Sequence, residues 1–239
     1  MRTTVTPLAR RWLACGLCLS LLVLLPSVAR AQQQDPFQAG QAAMNRGDYD
    51  NAIAAFSEAL RRHPDNLTAW IDRGTCFQSQ GRFQLAFRDF SEALRLDPRN
   101  PTALLNHGTA ARGLGHYEDA VRDFSEVLRI DPRNVNAVFS RGVTLTQLND
   151  YRAAVGDFTR AIELSPRNDN YFYTRADAFF HLGDYRRALD DYSAAIRLNP
   201  NSALYYQARA QAFAALGDQD RADADNDMAA RISQGFGPP

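Results

Sequence analysis

The chain has 239 residues, of which 45% are hydrophobic and 23% charged, with 27 basic and 27 acidic side chains that cancel to a formal net charge of zero. That composition belongs to a soluble globular protein of one or two domains, and it excludes a collagen-like, low-complexity or disulfide-rich chain. Every basic residue is arginine; there is no lysine.

The first element is a segment apart. Arg2, Arg10 and Arg11 precede an apolar run from Trp12 to Leu25, followed by Pro26 and Ala29-Arg30-Ala31. A basic start, a short apolar stretch and an Ala-x-Ala site read as a cleavable secretory signal over residues 1–31, with cleavage expected after Ala31. The run falls short of the roughly 20 apolar residues a membrane span needs, so no span is expected after cleavage. A lipid anchor fits poorly, because Cys15 comes too early and Leu17 stands before Cys18 where a small residue is wanted. The segment takes four arginines and no acid with it, leaving 23 basic against 27 acidic groups, a net of −4. Phosphate binding needs a basic footprint, so nucleic acid is not an expected partner. Cys76 alone remains of the three cysteines, and no intramolecular disulfide can form. Residues 32–36 read as a short linker.

From residue 33 a unit of 34 residues recurs, over about 33–66, 67–100, 101–134, 135–168, 169–202 and 203–236. Its core is Gly47-Asp-Tyr49-x-x-Ala52, repeated from Gly81, Gly115, Asn149 and Gly183 and in degraded form from Gly217. Pro64, Pro98, Pro132, Pro166 and Pro200 keep the same period. Self-similarity at this spacing means a solenoid in which each unit buries its apolar face against its neighbours.

Residues 67–100 show how a unit folds. A first helix from near Thr68 carries Trp70, Gly74 and Phe77 on one face. Gly81 ends it in the left-handed conformation a helix C′ position favours, and Asn149 replaces glycine there in the fourth unit. A second helix carries Ala86, Phe87, Phe90, Ala93 and Leu94 as a 3.6-residue stripe and stops before Pro98. Asn100 caps the next helix, with Pro101 in its first turn. Gly40, Gly74, Gly108, Gly142, Ala176 and Ala210 form a small column where the paired helices approach. The aromatic column Phe56, Phe90, Phe124, Phe158 and Tyr192 fills the space between units. Cys76 shares a column with Ala110, Ala178 and Ala212 and reads as a buried small residue.

The pattern Trp70-x-x-Arg73-Gly74-x-x-Phe77, then Gly81, Phe83, Ala86, Phe90, Ala93 and Pro98, resembles the tetratricopeptide repeat. The resemblance implies an all-α, right-handed superhelical solenoid of about six helix-turn-helix units over residues 37–232. It departs from the family where arginine or histidine precedes the small first-helix residue in five copies, and where Pro36 takes the place of Trp70 in the first. The sixth copy is polar, with Asn226 in the aromatic column and Asp220, Asp223, Asp225 and Asp227 in its second helix; it reads as the end cap a solenoid needs. Residues 233–239 are expected to be a disordered tail.

The arginine departures have companions. Arg73, Arg141, Arg175 and Arg209 each have an aspartate sixteen residues on: Asp89, Asp157, Asp191 and Asp225. His107 has Asp123. The first copy carries Ala39 and Ala55, lacking both partners together. The co-occurrence points to an ion pair between the two helices of one unit, against the alternative of separately solvated surface groups.

Chemistry is harder to find. The four histidines fall at four different places in the repeat, and no metalloprotease, dithiol, nucleophile-elbow or phosphate-loop spacing occurs. Asp223-x-Asp225-x-Asp227 opens like a calcium loop, but Met228 stands where that loop requires glycine. Asn66-Leu-Thr68 fits a glycosylation acceptor, which matters only in a eukaryotic secretory pathway. No enzyme activity, metal or cofactor is expected.

In tetratricopeptide domains the first helices line the concave face, and the resemblance puts Phe37, Ile71, Leu105, Phe139 and Tyr173 on it. Arg112, Asp177 and Phe180 border this stripe. Ile71, Leu105, Arg112, Phe139, Tyr173, Asp177 and Phe180 are therefore the candidate peptide-binding residues, with Tyr173 and Phe180 surplus to the core. The alternative is that these side chains only pack between helices. The family's lysine-and-asparagine carboxylate clamp is not expected, since the chain has no lysine. The expected function is a non-enzymatic scaffold or adaptor that binds a protein or peptide in its groove. The expected setting is the periplasm of a Gram-negative bacterium. Self-association into a homo-oligomeric envelope assembly and, more remotely, an enzyme site on the solenoid are the alternatives.

Overall fold

A computed structural model describes residues 35–236. The signal, its cleavage site and residues 237–239 lie outside the described residues. Twelve helices and no strand occur among those described. They are α1 (Pro36–Asn45), α2 (Tyr49–Arg62), α3 (Leu67–Ser79), α4 (Phe83–Leu96), α5 (Pro101–Gly113), α6 (Tyr117–Ile130), α7 (Val135–Gln147), α8 (Tyr151–Leu164), α9 (Asp169–His181), α10 (Tyr185–Leu198), α11 (Ala203–Ala215) and α12 (Gln219–Ser233).

Local chemistry sets these boundaries. Asn66, Asn100, Asn134 and Asn168 accept backbone N–H bonds at the starts of α3, α5, α7 and α9, supplying acceptors that a helix start lacks. Asp48, Asp150, Asp184 and Asp218 do the same for α2, α8, α10 and α12. Between the paired helices the chain turns through a left-handed residue, at Gly81 with φ +72° and at Asn149 with φ +59°. At the N-terminus, Asp35 caps α1 and Pro36 occupies its first turn, so the last two residues of the expected linker already belong to the first unit. At the other end α12 runs through Ser233, and the Phe236 N–H donates to the Arg231 carbonyl oxygen. Residues 233–236 of the expected disordered tail are thus a helix end and its cap, because these bonds satisfy the last carbonyls.

Successive helices pack as pairs, and each pair packs on the next. The first helices of neighbouring units also touch one another, whereas the second helices do not. The first helices therefore lie on the inner side of the bend. The column of Phe56, Phe90, Phe124, Phe158 and Tyr192 is buried throughout. A Cβ added at Gly74 would come within 2.7 Å of the Phe90 ring, and one at Gly142 within 2.7 Å of Phe158. In the fifth unit both partners differ together: Ala176 faces Tyr192, whose hydroxyl reaches out of the column to Asp177.

Candidate binding groove

The ion-pair residues come together in four units. Arg73 donates from Nε and Nη2 to the two carboxylate oxygens of Asp89, both at 2.7 Å. Arg141 binds Asp157 at 2.8 and 2.7 Å. Arg175 binds Asp191 at 2.7 and 2.8 Å, and Arg209 binds Asp225 at 2.8 and 2.7 Å. All four aspartates are buried. In the third unit the His107 Nδ1 lies 2.6 Å from Asp123. Burial outweighs the arginine at Asp89 and holds its carboxyl above the ordinary value, while the bond to Asp157 pushes Arg141 up.

Each guanidinium has a third bond that sequence reasoning missed. Arg73 Nη1 donates to Ser57 Oγ at 3.0 Å, Arg141 to Ser125 at 3.1 Å, Arg175 to Thr159 at 3.0 Å and Arg209 to Ser193 at 3.0 Å. The hydroxyl belongs to the second helix of the preceding unit. Ser57, Ser125 and Thr159 give their own proton to the carbonyl four residues back, which leaves a lone pair for the arginine. The network thus joins neighbouring units as well as paired helices. The signal was present as a Ser/Thr column at the repeat period: Ser57, Ser91, Ser125, Thr159 and Ser193. The sixth unit takes part through Asp225, so that residue of the polar cap is buried rather than solvated.

The candidate groove residues Ile71, Leu105, Arg112, Phe139, Tyr173, Asp177 and Phe180 lie on α3, α5, α7 and α9, and all are half-buried. Rings of their own and of the next unit cover the aromatic ones on one side. Phe139 lies between Phe158, at 5.7 Å, and Tyr171, at 4.8 Å between ring centroids. Tyr173 stacks on Tyr205 at 5.1 Å and tilts against Tyr192 at 5.9 Å. Phe180 meets the edge of Tyr185 at 5.2 Å. The rings read as surplus to the core therefore pack against it and stay half-exposed, and of the seven candidates Asp177 alone lines the cleft described next. The covering column is Ala69, Ala103, Ala137, Tyr171 and Tyr205, all buried. It changes from alanine to tyrosine over Phe139 and Tyr173.

Over the fourth and fifth units the inner face opens into a cleft of about 270 Å³. Val143, Thr146 and Gln147 of α7 form one wall, and Thr174, Asp177 and His181 of α9 the other; Tyr151 and Phe158 of α8 also line it. Among the described residues Asp177 has no arginine partner. Its Oδ1 accepts the Tyr192 hydroxyl at 2.5 Å, and burial pushes its carboxyl above the ordinary value. Burial, with Asp177 nearby, also pushes the Tyr173 phenol up to about 12. Arg112, two units earlier, is held below the usual arginine range by burial alone. On the same inner column Gln78 buries an amide oxygen that has no hydrogen-bond partner among the described residues.

Burial pushes the Cys76 thiol up to about 11, which makes it an unreactive small core residue. Among the described residues no group of three metal-ligating side chains converges, and no helix is long and apolar enough to cross a membrane.

A family profile described as the tetratricopeptide repeat matches residues 37–101 and 105–169, and a second, described as the TPR repeat, matches 176–217. The chain belongs to the tetratricopeptide repeat family. Solved structures share its fold. A tetratricopeptide repeat protein from Parabacteroides merdae ATCC 43184 is 24% identical with a TM-score of 0.73, covering 85% of this chain and 79% of its own. The MamA protein is 23% identical with a TM-score of 0.66, covering 70% and 92%. YrrB, a TPR protein with an unusual peptide-binding site, is 21% identical with a TM-score of 0.66, covering 77% and 94%. A search of the curated proteins gave no match.

Proposed function

We propose that this protein is an exported, non-enzymatic scaffold that holds a peptide segment of a partner protein in the groove formed by its first helices. The observation that carries this reading is the cleft between α7 and α9. It joins the rings of Tyr151 and Phe158 to the Asp177 carboxylate, which has no arginine partner among the described residues. Apolar anchors with a few fixed polar groups are what peptide recognition by a groove uses. The fold shared with YrrB, itself a peptide-binding protein, supports the reading. The setting we propose, the periplasm of a Gram-negative bacterium, rests on the signal pattern of residues 1–31 alone.

The test compares the two faces. A photo-crosslinking residue at Gln147, on the cleft wall, should capture a defined polypeptide in the native envelope. The same residue at Arg122, exposed on the second helix α6, should not. Equal capture from both positions, or capture from Arg122 alone, contradicts the proposal.

A second reading, self-association, has its own observation. The exposed large hydrophobics among the described residues, Leu182, Leu198, Leu204, Leu216 and Phe236, all belong to the fifth and sixth units. Leu204→Glu should dissociate such an assembly in analytical ultracentrifugation, and an unchanged sedimentation coefficient would count against it.

A further inference from the structure

We propose that the cleft between α7 and α9 is a subsite for one basic side chain, lysine or arginine, of the partner peptide, held by Asp177. The inference rests on the groove reading above and specifies what the groove selects.

The chain itself supplies the contrast. Its four buried aspartates, Asp89, Asp157, Asp191 and Asp225, each hold an arginine of their own unit. Asp177 lies on the first helix instead, facing the cleft, and its partners are the neutral hydroxyls of Tyr192 and Tyr173. A carboxylate has room for about four donors, so about half of its accepting capacity is left over. An ionised carboxylate drawn partly out of water without a counter-ion is unfavourable, and a cation entering the cleft removes that penalty.

The walls suit the stem of such a cation. Tyr151 and His181 stack in parallel, with centroids 4.7 Å apart and planes 10° apart. Stacked on each other, the two rings form a flat wall along which the methylene stem of arginine or lysine can lie. Thr146, Gln147 and Thr174 add neutral polar groups around them. The cleft, about 270 Å³, is smaller than the about 300–1,000 Å³ of a typical small-molecule site, which fits one inserted side chain.

The pH dependence follows from the groups around Asp177. Tyr173 and His181 lie on its own helix, Tyr192 on α10 and Tyr151 on α8. A bound cation favours the ionised carboxylate, so protonation of Asp177 competes with it. Binding therefore weakens in acid.

The test is selection of random dodecapeptides displayed on phage against the immobilised full-length protein. The selected peptides should share a lysine or arginine at one position. Asp177→Asn, which keeps an oxygen for Tyr192, should weaken a selected peptide by about ten- to hundredfold. Replacing the shared basic residue by methionine should abolish the difference between wild type and variant. Replacing it by glutamate should weaken binding to the wild-type protein further, a readout that needs no protein variant. Peptides without a shared basic residue, or with one that Asp177→Asn does not affect while Phe139→Ala does, overturn the subsite and leave the groove standing. No selected peptide, or peptides indifferent to both Phe139→Ala and Phe180→Ala, overturns the groove reading and the subsite with it.

Discussion

At the scale of single residues, the same side chain does opposite things according to its partner. Asp157 is buried but holds two bonds to Arg141, which also reaches Ser125 of the unit before. Removing either partner strands the other, so Arg141→Leu and Asp157→Leu should each destabilise by about 1–3 kcal/mol. The double variant should lose much less than the sum in chemical denaturation; additive losses would show that the two do not interact. Asp177 is the reverse case. Its carboxyl is raised in the folded chain by burial, so the folded state binds a proton more tightly than the unfolded state. Stability therefore declines as pH rises from the unfolded value of about 3.8 through the folded one, and at pH 7 the full penalty is present. Asp177→Asn should raise Tm at pH 7, with the gain shrinking below about pH 4. A lower Tm at pH 7 would mean that the carboxylate serves the fold rather than a ligand. Phe158, fully packed against Gly142, should cost about 3–5 kcal/mol as alanine.

At the scale of helices and turns, backbone conformation decides the sign of a substitution. Gly115 has φ +80° and Gly156 lies inside α8; neither has an atom within 4 Å of an added Cβ. Gly115→Ala should destabilise by about 1–2 kcal/mol through the left-handed backbone alone. Gly156→Ala should stabilise by about 0.8–1.0 kcal/mol through helix propensity. Thermal melts showing the same sign for both would contradict this account of the turns. Much at this scale was legible in the sequence. The left-handed Gly81 and Asn149, the Asn100 cap and the sixteen-residue Arg–Asp spacing each lie within one unit, where repeated columns reveal them. What was not legible depends on the offset between units. The bond from Arg141 to Ser125 joins two columns that share no motif. Tyr205 covers Tyr173 because adjacent first helices are displaced along the solenoid, which a column read in isolation does not show. The cleft has the same origin: α7, α8 and α9 of two units line it together.

At the scale of the whole molecule, units touch only their neighbours, so stability is close to a sum of unit and interface contributions. The sixth unit covers the fifth: Tyr205 lies on Tyr173, and Ile196 packs with Ala229. A chain ending at Pro200 should melt at a lower temperature and self-associate more than the intact protein; unchanged melting would mean that the sixth unit is not a cap. The central claim is that the inner cleft of the fourth and fifth units holds a partner's peptide. Hydrogen exchange of the protein with and without the captured partner tests it most directly. Slowed exchange at the ends of α7 and α9, around Thr146–Gln147 and Thr174–His181, is the predicted result. Protection confined to the second helices α8 and α10, with α7 and α9 unchanged, would contradict it.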